Sequence, residues 1–119
     1  MDSWALKITA IFLLLIGETA SIIIEVSLAR RYSLTQPFLG LFLKGFLVMI
    51  LAGAFLVTGY MLGFRSFKNI WIVSVISLAT ILITEPIIDY LIFRQLPTTG
   101  ALIGLVLAVA GFAFAVFYK

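Results

Sequence analysis

Four apolar stretches, each long enough to cross a bilayer, predict an all-α membrane protein with four transmembrane helices in a compact bundle. Composition points the same way. Of the 119 residues, 64% are hydrophobic and 11% charged, against about 45–50% and about 25% in ordinary soluble domains. The connections between the stretches are short, which makes consecutive helices antiparallel neighbours. No polar linker or low-complexity tract divides the chain, so residues 1–119 are expected to form one domain.

A membrane helix needs about 20 mostly apolar residues to cross roughly 30 Å of hydrocarbon. The first span is expected from about Trp4 to Ala29, ending at Arg30-Arg31-Tyr32, where basic and aromatic side chains suit the headgroup level. It reads as a permanent helix, because Asp2 spoils the basic start of a secretory signal and no small-x-small cleavage site follows the apolar run. The second span follows Gln36-Pro37, a proline suited to a first helical turn, and covers 38–63. A loop from Phe64 to Lys68 leads to the third span, 69–93, and Arg94-Gln95-Leu96-Pro97 leads to the fourth, 98–118.

The basic residues are nearly balanced across the membrane. Lys7, Arg65, Lys68 and Lys119 fall on the side of the termini and second loop. Arg30, Arg31 and Arg94 fall on the other, with Lys44 a short way into the second span from that side. So weak a bias permits insertion in both directions, as in antiparallel dimers, the bland alternative being that one orientation wins narrowly. The absence of Cys excludes disulfides and thiol chemistry, and the absence of His as well removes the usual zinc, haem and iron–sulfur ligands. No metal or other cofactor is expected. Neither a nucleophile–base set nor a nucleic-acid-binding pattern is visible, so the chain is read as neither an enzyme nor a nucleic-acid partner.

The informative residues are acidic. Glu18, Glu25, Glu85 and Asp89 lie inside predicted spans. An ionisable side chain near the bilayer centre costs about 2.5–3.5 kcal/mol on insertion scales, so such groups normally face a bundle interior or a wet cavity and mark solute or proton pathways. Glu18, Ser21 and Glu25 share one stripe of the first helix, and Ser74, Ser77, Thr84, Glu85 and Asp89 share a broad face of the third. Odd-numbered spans run in the same direction. Glu25, Glu85 and Asp89 should therefore lie in the same half of the membrane, where Lys44 also enters, with Glu18 near the midplane. These residues predict one polar chamber open towards the Arg30/Arg94 side, with Glu18 at its floor as a group that can trade a proton for a cation. The bland alternative is that Lys44 and the arginines pair with these acids as interhelical glue, which fixes register and transports nothing. Pro86 cannot donate to the carbonyl of Leu82, so it should kink or loosen the third helix, either as an ordinary kink or to present a free carbonyl beside two carboxylates.

Small residues mark packing surfaces. Gly59-x-x-x-Gly63 does so in the second span, and Gly100, Gly104, Ala108 and Gly111 do so in the fourth. The fourth span has no charge before Lys119 and, with no solute to line, is expected at a helix–helix interface, inside the protomer or between two protomers.

Thr84-Glu85-Pro86, then Phe93-Arg94-Gln95-Leu96-Pro97, then a last span marked by Gly104 and Gly111, resembles the end of the drug/metabolite transporter superfamily pattern. The size class is that of the four-helix small multidrug resistance proteins. Gly17-Glu18-Thr19 falls where that family has its single essential membrane carboxylate, which binds protons and substrate in competition, and the resemblance implies that role for Glu18. It further implies a prokaryotic inner-membrane antiporter working as a homodimer through the fourth helix. The chain departs from the family in several places. Ser77 and Ser74 stand where the family's drug-site Trp and Tyr align, Arg94 replaces an acid common in larger superfamily members, and Glu25, Glu85, Asp89 and Lys44 have no counterpart in typical multidrug members. A hydroxyl-rich, acid-lined chamber suits a more polar substrate than aromatic cations held by cation–π contacts. The expected function is proton-coupled exchange of a polar or cationic small molecule, with substrate, protons and membrane lipid as partners. The alternatives are a flippase, or flippase subunit, for a lipid-linked (amino)sugar, and a non-transporting assembly subunit.

Overall fold

A computed structural model describes residues 3–33 and 37–118; Asp2, Gln36 and Lys119 lie outside the described residues. The protein is an all-α membrane protein. Its four helices, α1 (Ser3–Ser33), α2 (Phe38–Phe67), α3 (Ile70–Phe93) and α4 (Thr99–Phe117), are all long and apolar enough to cross a membrane.

The connections show why each helix stops. Arg30 and Arg31 occupy the last turn of α1, where cations complement the unpaired carbonyls of a helix C-terminus. The expected loop from Phe64 is shorter than the sequence suggests. Phe64, Arg65, Ser66 and Phe67 contain neither Gly nor Pro, and α2 stays helical through them. It ends only where Lys68 turns left-handed (φ 59°) and donates its N–H to the carbonyl of Phe64 at 2.8 Å. Asn69 then caps α3 by accepting from Trp71 N at 2.9 Å. The second tight turn repeats this chemistry. Arg94 (φ 57°) closes α3 on the carbonyl of Tyr90, and Thr98 caps α4 by accepting from Ala101 N at 3.1 Å.

α1 is the hub, packing along α2 and, less extensively, α3. The α1–α2 seam is tight because small residues line it. A Cβ on Gly59 would meet Leu14 at 3.0 Å, and one on Gly63 would meet Val73 at 3.1 Å and the Ala10 Cβ at 3.7 Å. Ala52 and Gly45 continue the seam towards the other end of the helix, and Leu14 and Val73 are fully buried beside it. These contacts pair the start of α1 with the end of α2, as antiparallel neighbours require. At the other end, Ile22 and Val26 of α1 cluster with Ile88 of α3, flanked by Ile81, Ile92 and Phe93.

α4 stands apart. Among the described residues it packs against α3 alone, and none of its own is buried. Beyond the backbone of α4 itself, no described atom lies within 4 Å of where a Cβ on Gly100, Gly104 or Gly111 would sit, so this stripe does not form an interface inside the protomer. The resulting molecule is a slab of 49 × 35 × 17 Å.

Candidate functional site

The polar side chains expected along α1 and α3 occupy two places, not one. The deeper place is the α1–α3 seam, where Ser77 donates its hydroxyl to Glu18 Oε1 at 2.5 Å. This bond ties α1 to α3 through one hydroxyl and one carboxyl group. Ser77 is buried and Glu18 half-buried. Ser21 is buried beside them but donates to the carbonyl of Gly17 at 2.8 Å, within its own helix. Thr80, one turn beyond Ser77, likewise bonds back to Ile76 at 3.1 Å. Such back-bonding satisfies a hydroxyl in a setting without water. Ser74 is half-buried on the same helix.

The second place is a cleft of about 680 Å³ at the Arg94 end of the molecule. Glu25 reaches it from α1, and Glu85 and Asp89 from α3. Glu85 and Asp89 lie one turn apart on one face, so a single helix delivers both carboxylates. Pro86 and Leu82 line the same wall, so the proline stands beside the acids, within an α3 that stays helical from Ile70 to Phe93. At the rim, the Arg94 guanidinium lies 5.9 Å from the centre of the Tyr90 ring. Val26 and Ala29 of α1 and Ile81 and Phe93 of α3 add apolar wall, and the other side comes from the α3–α4 connection, Gln95 to Thr98, and from Ala101 and Leu105 of α4.

Glu18, Ser21, Ser74 and Ser77 do not line this cleft. Ile22 follows Glu18 by one turn and Val26 by two, and both are buried against Ile88. This apolar layer stands between Glu18 and the cleft, with Val26 and Ile81 belonging to the cluster and to the cleft wall alike. Lys44 is exposed on α2, a helix that contributes no residue to the cleft lining.

The expectation that α4 lines no solute rests on its lack of charge. Ala101, Leu105 and the capping Thr98 nevertheless form a wall. Apolar wall residues carry no such mark, and the one available signal was the shortness of the turn, which holds the start of α4 beside the acidic end of α3. The cleft is also unsealed: α1 and α4 both line it, yet no described Cα of α4 comes within 8 Å of one in α1. Gly100, Gly104, Ala108 and Gly111, expected at a contact between protomers, face outward on α4. Compared with known proteins, the chain matches no family model, no curated protein and no solved structure.

Proposed function

We propose that the protein is a small membrane transporter that exchanges protons for a polar or cationic small molecule. The observation that carries this reading is the cleft, in which three carboxylates from two membrane-spanning helices line one cavity of about 680 Å³. Ligand cavities commonly fall between about 300 and 1,000 Å³. Carboxylates are costly within hydrocarbon, and three of them gathered in a cavity favour a site that compensates them with a bound cation or with protons. Glu18 is the proposed coupling group. It sits beyond the apolar layer with one side-chain hydrogen-bond donor among the described residues, so loading the cleft and protonating Glu18 are separate events linked through α1 and α3.

A second copy would pack on the outward stripe of α4, at Gly100, Gly104, Ala108 and Gly111, where close backbone approach replaces lipid contacts. The nearly balanced basic residues allow the copies to be inverted, and the inner membrane of a prokaryotic cell is the proposed location. One feature favours a second reading. The gap between α1 and α4 leaves the cleft open sideways, so a lipid-linked amino sugar could place its polar head on the acids while its chain stays in the bilayer.

The test is binding and exchange in purified protein reconstituted into liposomes. Thermal stabilisation by a panel of water-soluble cations and glycolipids is measured across pH, followed by proton release on addition of any hit. Cation-dependent stabilisation that weakens as pH falls, with proton release lost in Glu18→Gln, supports exchange. Stabilisation by glycolipids alone supports the flippase. Indifference to every compound and to pH leaves the carboxylates as structural groups only.

A further inference from the structure

One wall of the cleft is barely fastened. Among the described residues α4 packs against α3 alone and buries none of its own, and it is joined to α3 by Gln95, Leu96 and Pro97 between two completed caps. The caps matter because each is local. Arg94 N–H bonds the carbonyl of Tyr90 within α3, and Thr98 Oγ1 bonds Ala101 N within α4, so a change of angle between the helices breaks neither. Pro97 holds its own φ near about −65°. Pro97 also biases Leu96 towards extended backbone, so rotation at the junction falls mainly on Gln95 and on the ψ angles of Leu96 and Pro97, as in hinge motions, where a few residues at element ends absorb the change.

Opposite α4 stands a surface able to receive it. On α1 the exposed Ala29 and the edge of Val26, a residue otherwise buried against Ile88, line the cleft, and Ala101 and Leu105 line it on α4. Packed helices lie about 8–10 Å apart, the spacing depending on the side chains at the contact. Alanines on both sides permit the near end of that range. We infer that α4 is a movable wall, swinging about Gln95-Leu96-Pro97 to bring Ala101 and Leu105 against Val26 and Ala29 and so closing the cleft over Glu25, Glu85 and Asp89. Closure replaces solvent and lipid beside the acids with apolar side chains. It depends on the fold and not on what the cleft carries, so failure of the transport proposal leaves it standing.

The chain contains no cysteine, so introduced pairs are its only thiols. A disulfide needs Cα atoms about 4.4–6.8 Å apart, whereas every described α1–α4 pair is separated by more than 8 Å. Ala29→Cys/Ala101→Cys in the full chain, held in lipid nanodiscs and mildly oxidised, can therefore bridge only if α4 moves. Ala10→Cys/Gly63→Cys is the positive control, because the Cβ atoms there would lie 3.7 Å apart. Ala29→Cys/Ile103→Cys, with Ile103 turned to the far side of α4, is the negative control. Val26→Cys/Leu105→Cys repeats the test should the first pair disturb insertion. The expected result is an intramolecular bridge, migrating as a single chain of about 13.1 kDa, formed severalfold faster than in the Ile103 pair. Spin labels at positions 29 and 101 should give two distances, the shorter one matching packed helices. Equal rates for the two pairs, a bridge only between chains, or a single long spin-label distance would overturn the inference.

Discussion

Glu18 owes its place to one hydroxyl. Ser77→Ala removes the only side chain that donates to it among the described residues, leaving a half-buried carboxylate uncompensated. Interhelical side-chain hydrogen bonds in membranes average about 0.6 kcal/mol and reach about 1.7. Because a carboxylate is involved, we expect Ser77→Ala to cost towards the upper end, about 1–1.5 kcal/mol, read as a lowered unfolding midpoint in mild detergent. Glu18→Gln should cost less, since the amide carbonyl still accepts from Ser77, yet should abolish substrate-dependent proton release. Retention of proton exchange at the parental rate would remove Glu18 from the mechanism. In the cleft, Glu85→Gln and Asp89→Asn should each weaken cation binding and flatten its dependence on pH, because protonation and amidation remove the same charge. Calorimetry at two pH values measures this directly. At this scale the acids were legible in the sequence, because a carboxylate among apolar residues is conspicuous at any position. The apolar layer between Glu18 and the cleft was not. Ile22, Val26 and Ile88 look like any other lipid-compatible residues until packing brings them together.

Helices read from sequence by hydropathy are bounded well where a proline intervenes and poorly where it does not: α1 runs through Arg30-Arg31-Tyr32 to Ser33, four residues past its expected end at Ala29, because charged side chains at the headgroup level do not oppose helix. Pro37 and Pro97 marked the starts of α2 and α4 to within two residues, whereas α2 passed four residues beyond its expected end because nothing before Lys68 opposed helix. Glycine patterns had the opposite weakness: they announced close packing without saying where. Gly59 lies against the backbone nitrogen of Leu14 at 3.2 Å, measured from an added Cβ, and Gly104 faces nothing. Two substitutions should therefore separate. Gly59→Leu forces α1 from α2 and is expected to destabilise the monomer by about 1–3 kcal/mol or more, as overpacking does. Gly104→Leu is expected to leave monomer unfolding within about 0.5 kcal/mol of the parent, while shifting the detergent-solubilised protein from dimer to monomer. Sedimentation and thermal melts of the two variants make the comparison. A parent that is monomeric in bilayer mimetics would remove the dimer.

For the whole molecule, orientation is the open property that charge should control. Lys7, Arg65 and Lys68 on one side nearly balance Arg30, Arg31 and Arg94 on the other. Reporter fusions at the C-terminus should detect both orientations, and one added lysine beside Lys68 should drive that side to the cytoplasm. A single orientation unaffected by the added charge would exclude inverted copies. The helices also differ in length, with 31 and 30 residues in α1 and α2 but 19 in α4. At about 1.5 Å per residue, α4 extends about 28 Å, against about 45 Å for the first two. Hydrocarbon is about 27 Å thick in thin membranes and about 32–33 Å in thick ones. The long helices can tilt to fit either, but the short one has no slack. Bilayer thickness therefore bears on the helix with the fewest protein contacts, and the tilt of α4 against α3 should follow the acyl-chain length of the host lipid.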